Sequence, residues 1–200
     1  MLLPAGGGAS ICEPPVSAQA LPATSDRHIP MLRFLFPGLT AAPERGEALF
    51  AAITTKAREP HWYTEGAVPD TLDGRFRMLA TLNALVIVEL ERHGAAGEQA
   101  SVALTERFIE VMEAEHRELG LGDPALGRRI RKLVSALGRR VELFRPGMDD
   151  AGRWDVAVND SIYQGEAESE ALEHTAQALR TFRADLRSAD VAALARGTLG

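Results

Sequence analysis

Cysteine is almost absent. A single one, Cys12, in 200 residues excludes a disulfide framework and a multi-thiolate metal site, so stability must come from packing. Lysine is nearly as scarce, with only Lys56 and Lys132 among 22 basic residues, and 28 acidic residues outweigh them to give a net charge of -6. That balance excludes whole-surface attraction to nucleic acid or anionic lipid, so any such contact must be a local patch. Long apolar runs are missing too. The longest, Leu79 to Leu90, is preceded by Arg77 and broken by Glu89, falls short of the ~20 residues that span a bilayer, and reads as a buried core helix. What remains, 46% apolar and 25% charged side chains, suits one globular domain with a real core.

Residues 1 to 30 carry five of the eleven prolines and the run Gly6-Gly7-Gly8, with only Glu13, Asp26 and Arg27 charged. They lack a periodic apolar face and read as a disordered tail. No basic residue precedes Arg27 and prolines interrupt every apolar run, so a signal peptide is not expected; Met31 offers an alternative start. From Pro43 onward the apolar spacing is helical almost throughout, and nothing alternates with the period of two of a half-buried strand. The expectation is an all-α, single multi-helix bundle over 31–200. Its helices are expected at about Pro43 to Arg58, Thr71 to His93, Glu98 to Leu119, Asp123 to Phe144, Trp154 to Tyr163 and Ser169 to Arg187, with a last turn near Asp190 to Arg196. The second helix is apolar on two sides, through Leu72, Phe76, Leu79, Asn83, Val86 and Leu90 and through Leu82, Leu85 and Val88, so it belongs at the centre. Phe76 is expected to be packed. Gly120 ends the third helix in the left-handed conformation, and Asp123 with Pro124 opens the fourth.

Catalytic constellations are poor. Glu113 and His116 have the Glu-x-x-His spacing of di-iron bundles, but that chemistry needs the pair twice and no second pair exists. There is no Gly-x-Ser-x-Gly turn for a nucleophile. Asp70 and Asp73, beside a helix start, are better read as caps than as acid-base partners of His61. The fourth helix is more informative. Leu126, Ile130, Leu133, Val134, Leu137, Val141 and Phe144 fall within an arc of roughly 100°, and Arg128, Arg129, Arg131, Lys132, Arg139 and Arg140 fill most of the opposite half. Two readings stay open: a solvated exterior balanced by Glu110, Glu113, Glu115 and Glu118 of the preceding helix, or an anion-binding face for RNA phosphates, lipid headgroups or an acidic partner. No aromatics interleave with these arginines, which disfavours single-strand stacking and sequence-specific nucleic-acid reading. The loop His61 to Asp70 concentrates Trp62 and Tyr63, two of the four Trp and Tyr residues in the chain; such aromatics either plug the core, the favoured reading, or form a binding surface.

The stretches Trp62 to Ala80 (WYTEGAVPDTLDGRFRMLA) and His116 to Leu133 (HRELGLGDPALGRRIRKL), with the pair Gly138-Arg139 read at a helix end, resemble the ubiquinol-cytochrome c chaperone family over about 48–144. Two positions depart from the family pattern, Asn83 where a histidine is usual and Leu137 where a tyrosine is usual. The resemblance implies a non-enzymatic assembly chaperone with no cofactor. Its client would be newly made cytochrome b, and it would work in the cytoplasm at the inner membrane. A small helper protein and the ribosome or an anionic membrane surface would be further partners. The residues it puts forward for client or partner contact are Trp62, Tyr63, Arg75, Arg117, Arg128, Arg129, Lys132, Arg139 and Arg140. The alternative is a helical module that binds RNA or an anionic membrane through its arginine face.

Overall fold

The computed structural model describes residues 46–118, 120, 123–147 and 150–199. The tail, Cys12, Met31, the Pro43 helix start, Leu119 and the side chain of Asp123 lie outside the described residues. Within them the chain is all-α, with seven α-helices and no strand: α1 (Glu47–Ala57), α2 (Leu72–Leu90), α3 (Gly94–Glu118), α4 (Asp123–Gly147), α5 (Ala151–Val158), α6 (Ser169–Ser188) and α7 (Val191–Ala195).

Helix α2 is the axis, as its two apolar sides require, and packs against α1, α3, α4 and α6. Every residue from Ala80 to Leu90 is buried. Its start is fixed locally: the Thr71 hydroxyl accepts a hydrogen bond from the Gly74 N–H, satisfying one of the free donors of the first turn. Gly74 is required because a Cβ there would lie 1.9 Å from the Pro69 carbonyl oxygen.

The first turns of α2 are less buried than the sequence pattern predicts. Leu72 is exposed, while Phe76 and Leu79 are only partly buried and Met78 takes the core position. Here α2 has not yet entered the centre of the bundle. Phe76 nevertheless packs at 6.3 Å on Phe108. Asn83 and Leu137 are both buried, so the two departures from the family pattern alter packing and not a surface. The Asn83 amide donates to the Leu79 carbonyl at 2.8 Å.

A 3-10 turn, Glu91–His93, joins α2 to α3, and Gly94, at φ +60°, lets α3 begin earlier than Glu98. At Gly46 the backbone is left-handed (φ +83°), and a Cβ would press to 2.6 Å on the Ala103 carbonyl oxygen; glycine permits both the turn and the contact between α1 and α3. Gly120 is left-handed as expected (φ +80°).

Helix α4 buries Leu126, Ile130, Leu133, Leu137, Val141 and Phe144. It runs on through Arg145 and Pro146 to Gly147, past the expected end at Phe144, because a proline in the last turn forfeits only one hydrogen bond there. Gly138-Arg139 therefore lies inside a helix, not at a helix end. The segment after α5 departs most from expectation. Instead of continuing as one short helix, residues Asn159–Tyr163 widen into a π turn, and Gln164 follows in the left-handed conformation (φ +61°).

Candidate interaction surface

Among the described residues the exterior of α4 gathers the largest group of unpaired cations, beside the scattered Arg58, Arg187 and Arg196. Among the described residues, Lys56, Arg75, Arg77, Arg92, Arg107, Arg145, Arg153, Arg180 and Arg183 all contact carboxylates. Arg128, Arg129, Arg131, Lys132 and Arg139 are exposed, and no described carboxylate pairs with them. The acidic helix α3 makes no described ion pair with them: Glu110 is held by Arg107 of its own helix, and Glu113, Glu115 and Glu118 form no described ion pair. At 100° per residue, Arg128, Arg129, Lys132 and Arg139 fall on one flank with the exposed Leu143, and Arg131 lies about 60° beyond Arg128 at the border of that flank. Arg117, at the end of α3, is also exposed.

His116 joins α3 to α4. Its Nδ1 donates to the Met112 carbonyl at 2.8 Å, and its Nε2 accepts from Arg129 Nε at 3.3 Å. Both ring nitrogens are thereby committed to packing, and no metal-holding group of three or more His, Cys, Asp or Glu side chains occurs among the described residues.

Arg140 requires a correction. Placed by periodicity on the open face, it is 9% exposed and turns inward. Its Nη1 donates to the Ala136 carbonyl at 2.9 Å and its Nη2 to the Ser161 carbonyl at 2.6 Å. Position 140 lies at the edge of the polar arc, and the π turn covers that edge. Burial first, then the guanidinium groups of Arg139 and Arg77, push its pKa down to about 10. Arg77, paired with Asp73, donates to the next carbonyl, that of Ile162. Two arginines from two helices thus hold successive carbonyls of the π turn.

Trp62 also offers no surface. It is fully buried, and its indole N–H donates to the Lys56 carbonyl at 2.8 Å. The Tyr63 hydroxyl donates to the Ala57 carbonyl at 2.6 Å, and burial raises the pKa of that phenol. Both aromatics therefore tie the loop to the last turn of α1, which is the plugging role. Tyr63 stays partly exposed, and Arg75 beside it is exposed and bound to Asp70 at 2.5 Å. The residues put forward by the sequence thus form two groups, Tyr63 with Arg75 at the start of α2 and the arginines of α4, with no described hydrogen bond or ion pair joining them.

Sequence reasoning missed two features. Asp160, Ser161 and Gln164 line a cleft with Arg139, Arg140 and Leu143; no sequence signal announces a π turn. His61 and His174 meet with Nδ1 and Nε2 3.1 Å apart, while His61 Nε2 contacts Glu59 at 3.0 Å. Two lone histidines far apart in sequence carry no hint of that pairing.

A family model described as ubiquinol-cytochrome C chaperone matches residues 64–199, from the loop through α7. The crystal structure of the Cbp3 homolog from Brucella abortus is similar at a TM-score of 0.65 and 24% identity, over 84% of this chain and 94% of that one; at that identity the likeness shows the fold. No curated protein matches the chain.

Proposed function

Because the chain belongs to the ubiquinol-cytochrome c chaperone family, we propose that it acts without catalysis, holding newly made cytochrome b in a state fit for assembly into the quinol-oxidising complex. The observation that carries this reading is the family match, which runs from the loop before α2 through α7 and not over a single motif. The α4 flank is the contact region we favour. An acidic protein that gathers five exposed, unpaired cations on one helix, Arg128, Arg129, Arg131, Lys132 and Arg139, forgoes ion pairing there, and that arrangement suits an anionic partner surface.

In this reading Arg117, Arg128, Arg129, Lys132 and Arg139 make the outward contacts, and Tyr63 with Arg75 forms a second patch. Trp62 and Arg140 act from inside, by fixing the loop and the π turn. No helix among the described residues is long and apolar enough to cross a membrane. Work at the inner face of the membrane would therefore use the α4 flank, near anionic lipid or the ribosome, with or without a small helper protein.

The test is affinity capture of the chain from solubilised membranes, together with a deletion strain. We expect cytochrome b in the capture, and reduced levels of haem-loaded cytochrome b and assembled complex in the strain. Normal complex levels in the deletion strain would refute the proposal. The same unpaired flank supports a second reading, an RNA- or membrane-surface module. Steep salt dependence of binding to RNA or anionic vesicles, without any respiratory defect, would favour it.

A further inference from the structure

Arg140 is a buried cation with an incomplete set of partners. Its two described hydrogen bonds go to neutral carbonyls, and its Nε finds no acceptor. The Ser161 hydroxyl, equally buried, is also without a partner. Gripping a π-turn carbonyl explains the hydrogen bonds but not the charge, because a neutral donor would do the same without the desolvation cost of a cation.

Above this point opens a cleft of about 360 Å³ lined by Arg139, Arg140, Leu143, Asp160, Ser161 and Gln164. Arg139 at its rim is exposed and has no described carboxylate partner, and Asp160 makes no described ion pair with either arginine. Gln164 is held in the left-handed conformation that non-glycine residues seldom adopt, and π turns recur at functional sites.

We propose that this cleft between α4 and the π turn binds a phosphate oxyanion carried on a larger organic group. The donors stand on two walls, guanidinium groups on α4 and the Gln164 amide on the π turn. A tetrahedral oxyanion can accept from both walls at once, whereas a planar carboxylate is served by one guanidinium fork. The cleft is larger than a bare phosphate, and Leu143, 37% exposed at its edge, offers an apolar contact to the attached carbon skeleton. Both a soluble phosphate ester and a phospholipid headgroup present this chemistry. The inference concerns the cleft alone and does not depend on the identity of any client protein.

The experiment is an amide-resolved NMR titration of the full chain with sn-glycerol 3-phosphate, with acetate at matched ionic strength as the comparison. A parallel sedimentation assay uses vesicles of phosphatidylglycerol and phosphatidylcholine in equal parts. We expect saturable shifts at Ser161 and Gln164 with the phosphate ester and not with acetate. R139Q should weaken that binding by about tenfold, while R131Q, about 12 Å along α4 and outside the cleft lining, should leave it unchanged. Vesicle binding that glycerol 3-phosphate displaces and R139Q weakens assigns the site to a lipid headgroup; binding of the ester alone assigns it to a soluble one. Shifts of equal size with acetate, equal losses in R131Q and R139Q, or no shifts at Ser161 and Gln164 would each overturn the proposal. R140M adds a second reading of the cleft, and where it fails to fold, the exposed R139Q still decides.

Discussion

Glu89 is 1% exposed in the middle of the bundle, and Arg183 Nε of α6 donates to it at 2.8 Å, with Arg92 Nε at 3.7 Å from its other oxygen. At an effective dielectric constant of about 20, unit charges 2.8 Å apart attract by about 6 kcal/mol. Removing both from water costs several kcal/mol per ion, so the intact pair contributes little net stability. Removing one member is different, since it breaks the ion pair of a charge that stays buried. We expect Glu89→Met to destabilise the bundle by about 3–5 kcal/mol, a large part of the 5–15 kcal/mol typical of a domain. Arg183→Met should also destabilise, with Arg92 left beside the carboxylate. The double replacement should be less destabilising than the sum of the two single ones, since methionines can fill the space and both members of the pair leave together.

Urea unfolding followed by tryptophan fluorescence measures all four corners of this cycle. The Trp154 ring, 5.9 Å from the Arg183 guanidinium, is a local reporter. A double variant as unstable as the sum of the two single ones would refute the reasoning, because it would mean that the two side chains contribute independently.

Gly138 is an exposed helix-interior glycine where a Cβ would meet nothing within 4 Å. Gly138→Ala should therefore raise stability by about 0.5–1 kcal/mol, read as an increased urea midpoint at unchanged slope. Thr71→Ala removes the cap of α2 and should cost about 1 kcal/mol in the same assay. Trp62→Ala empties a fully buried site and should cost about 3–5 kcal/mol; a near-neutral result would mean that the loop does not plug the core. Burial pushes the Tyr163 phenol above its ordinary value of 10.0. The folded state therefore holds this proton more tightly, its contribution is complete below pH 10, and it is lost as pH rises past the folded value. The stability gap between parent and Tyr163→Phe should accordingly shrink above about pH 10, checked by unfolding curves at stepped alkaline pH.

The helical class, the central place of α2 and the buried stripe of α4 were legible in the sequence, because apolar spacing reports directly on which face leaves water. The start of α2 was harder to read. Leu72 has the right spacing for the core, yet spacing does not say where along its length a helix enters the bundle. Arg140 shows the same limit at the candidate surface: its angle on α4 was right and its burial was not, since burial depends on the π turn folding over that edge. Trp62 was put forward both as a plug and as a contact residue, and hydrogen bonding to Lys56 decides for the plug. The His61 and His174 contact and the Ser161 cleft depend wholly on tertiary placement, and no local pattern encodes them.

The exposed, unpaired cations gathered on α4 make that helix a local positive pole on an acidic chain. With a formal charge of -6, a negatively charged target repels it at long range, and only approaches that turn α4 forward become attractive near contact. Salt then acts in two opposite senses. It first screens the distant repulsion, and only when the Debye length falls below about 8 Å does it erode the short-range attraction. Association should accordingly be fastest at an intermediate ionic strength, with the orientation of docking selected before any side chain touches its partner.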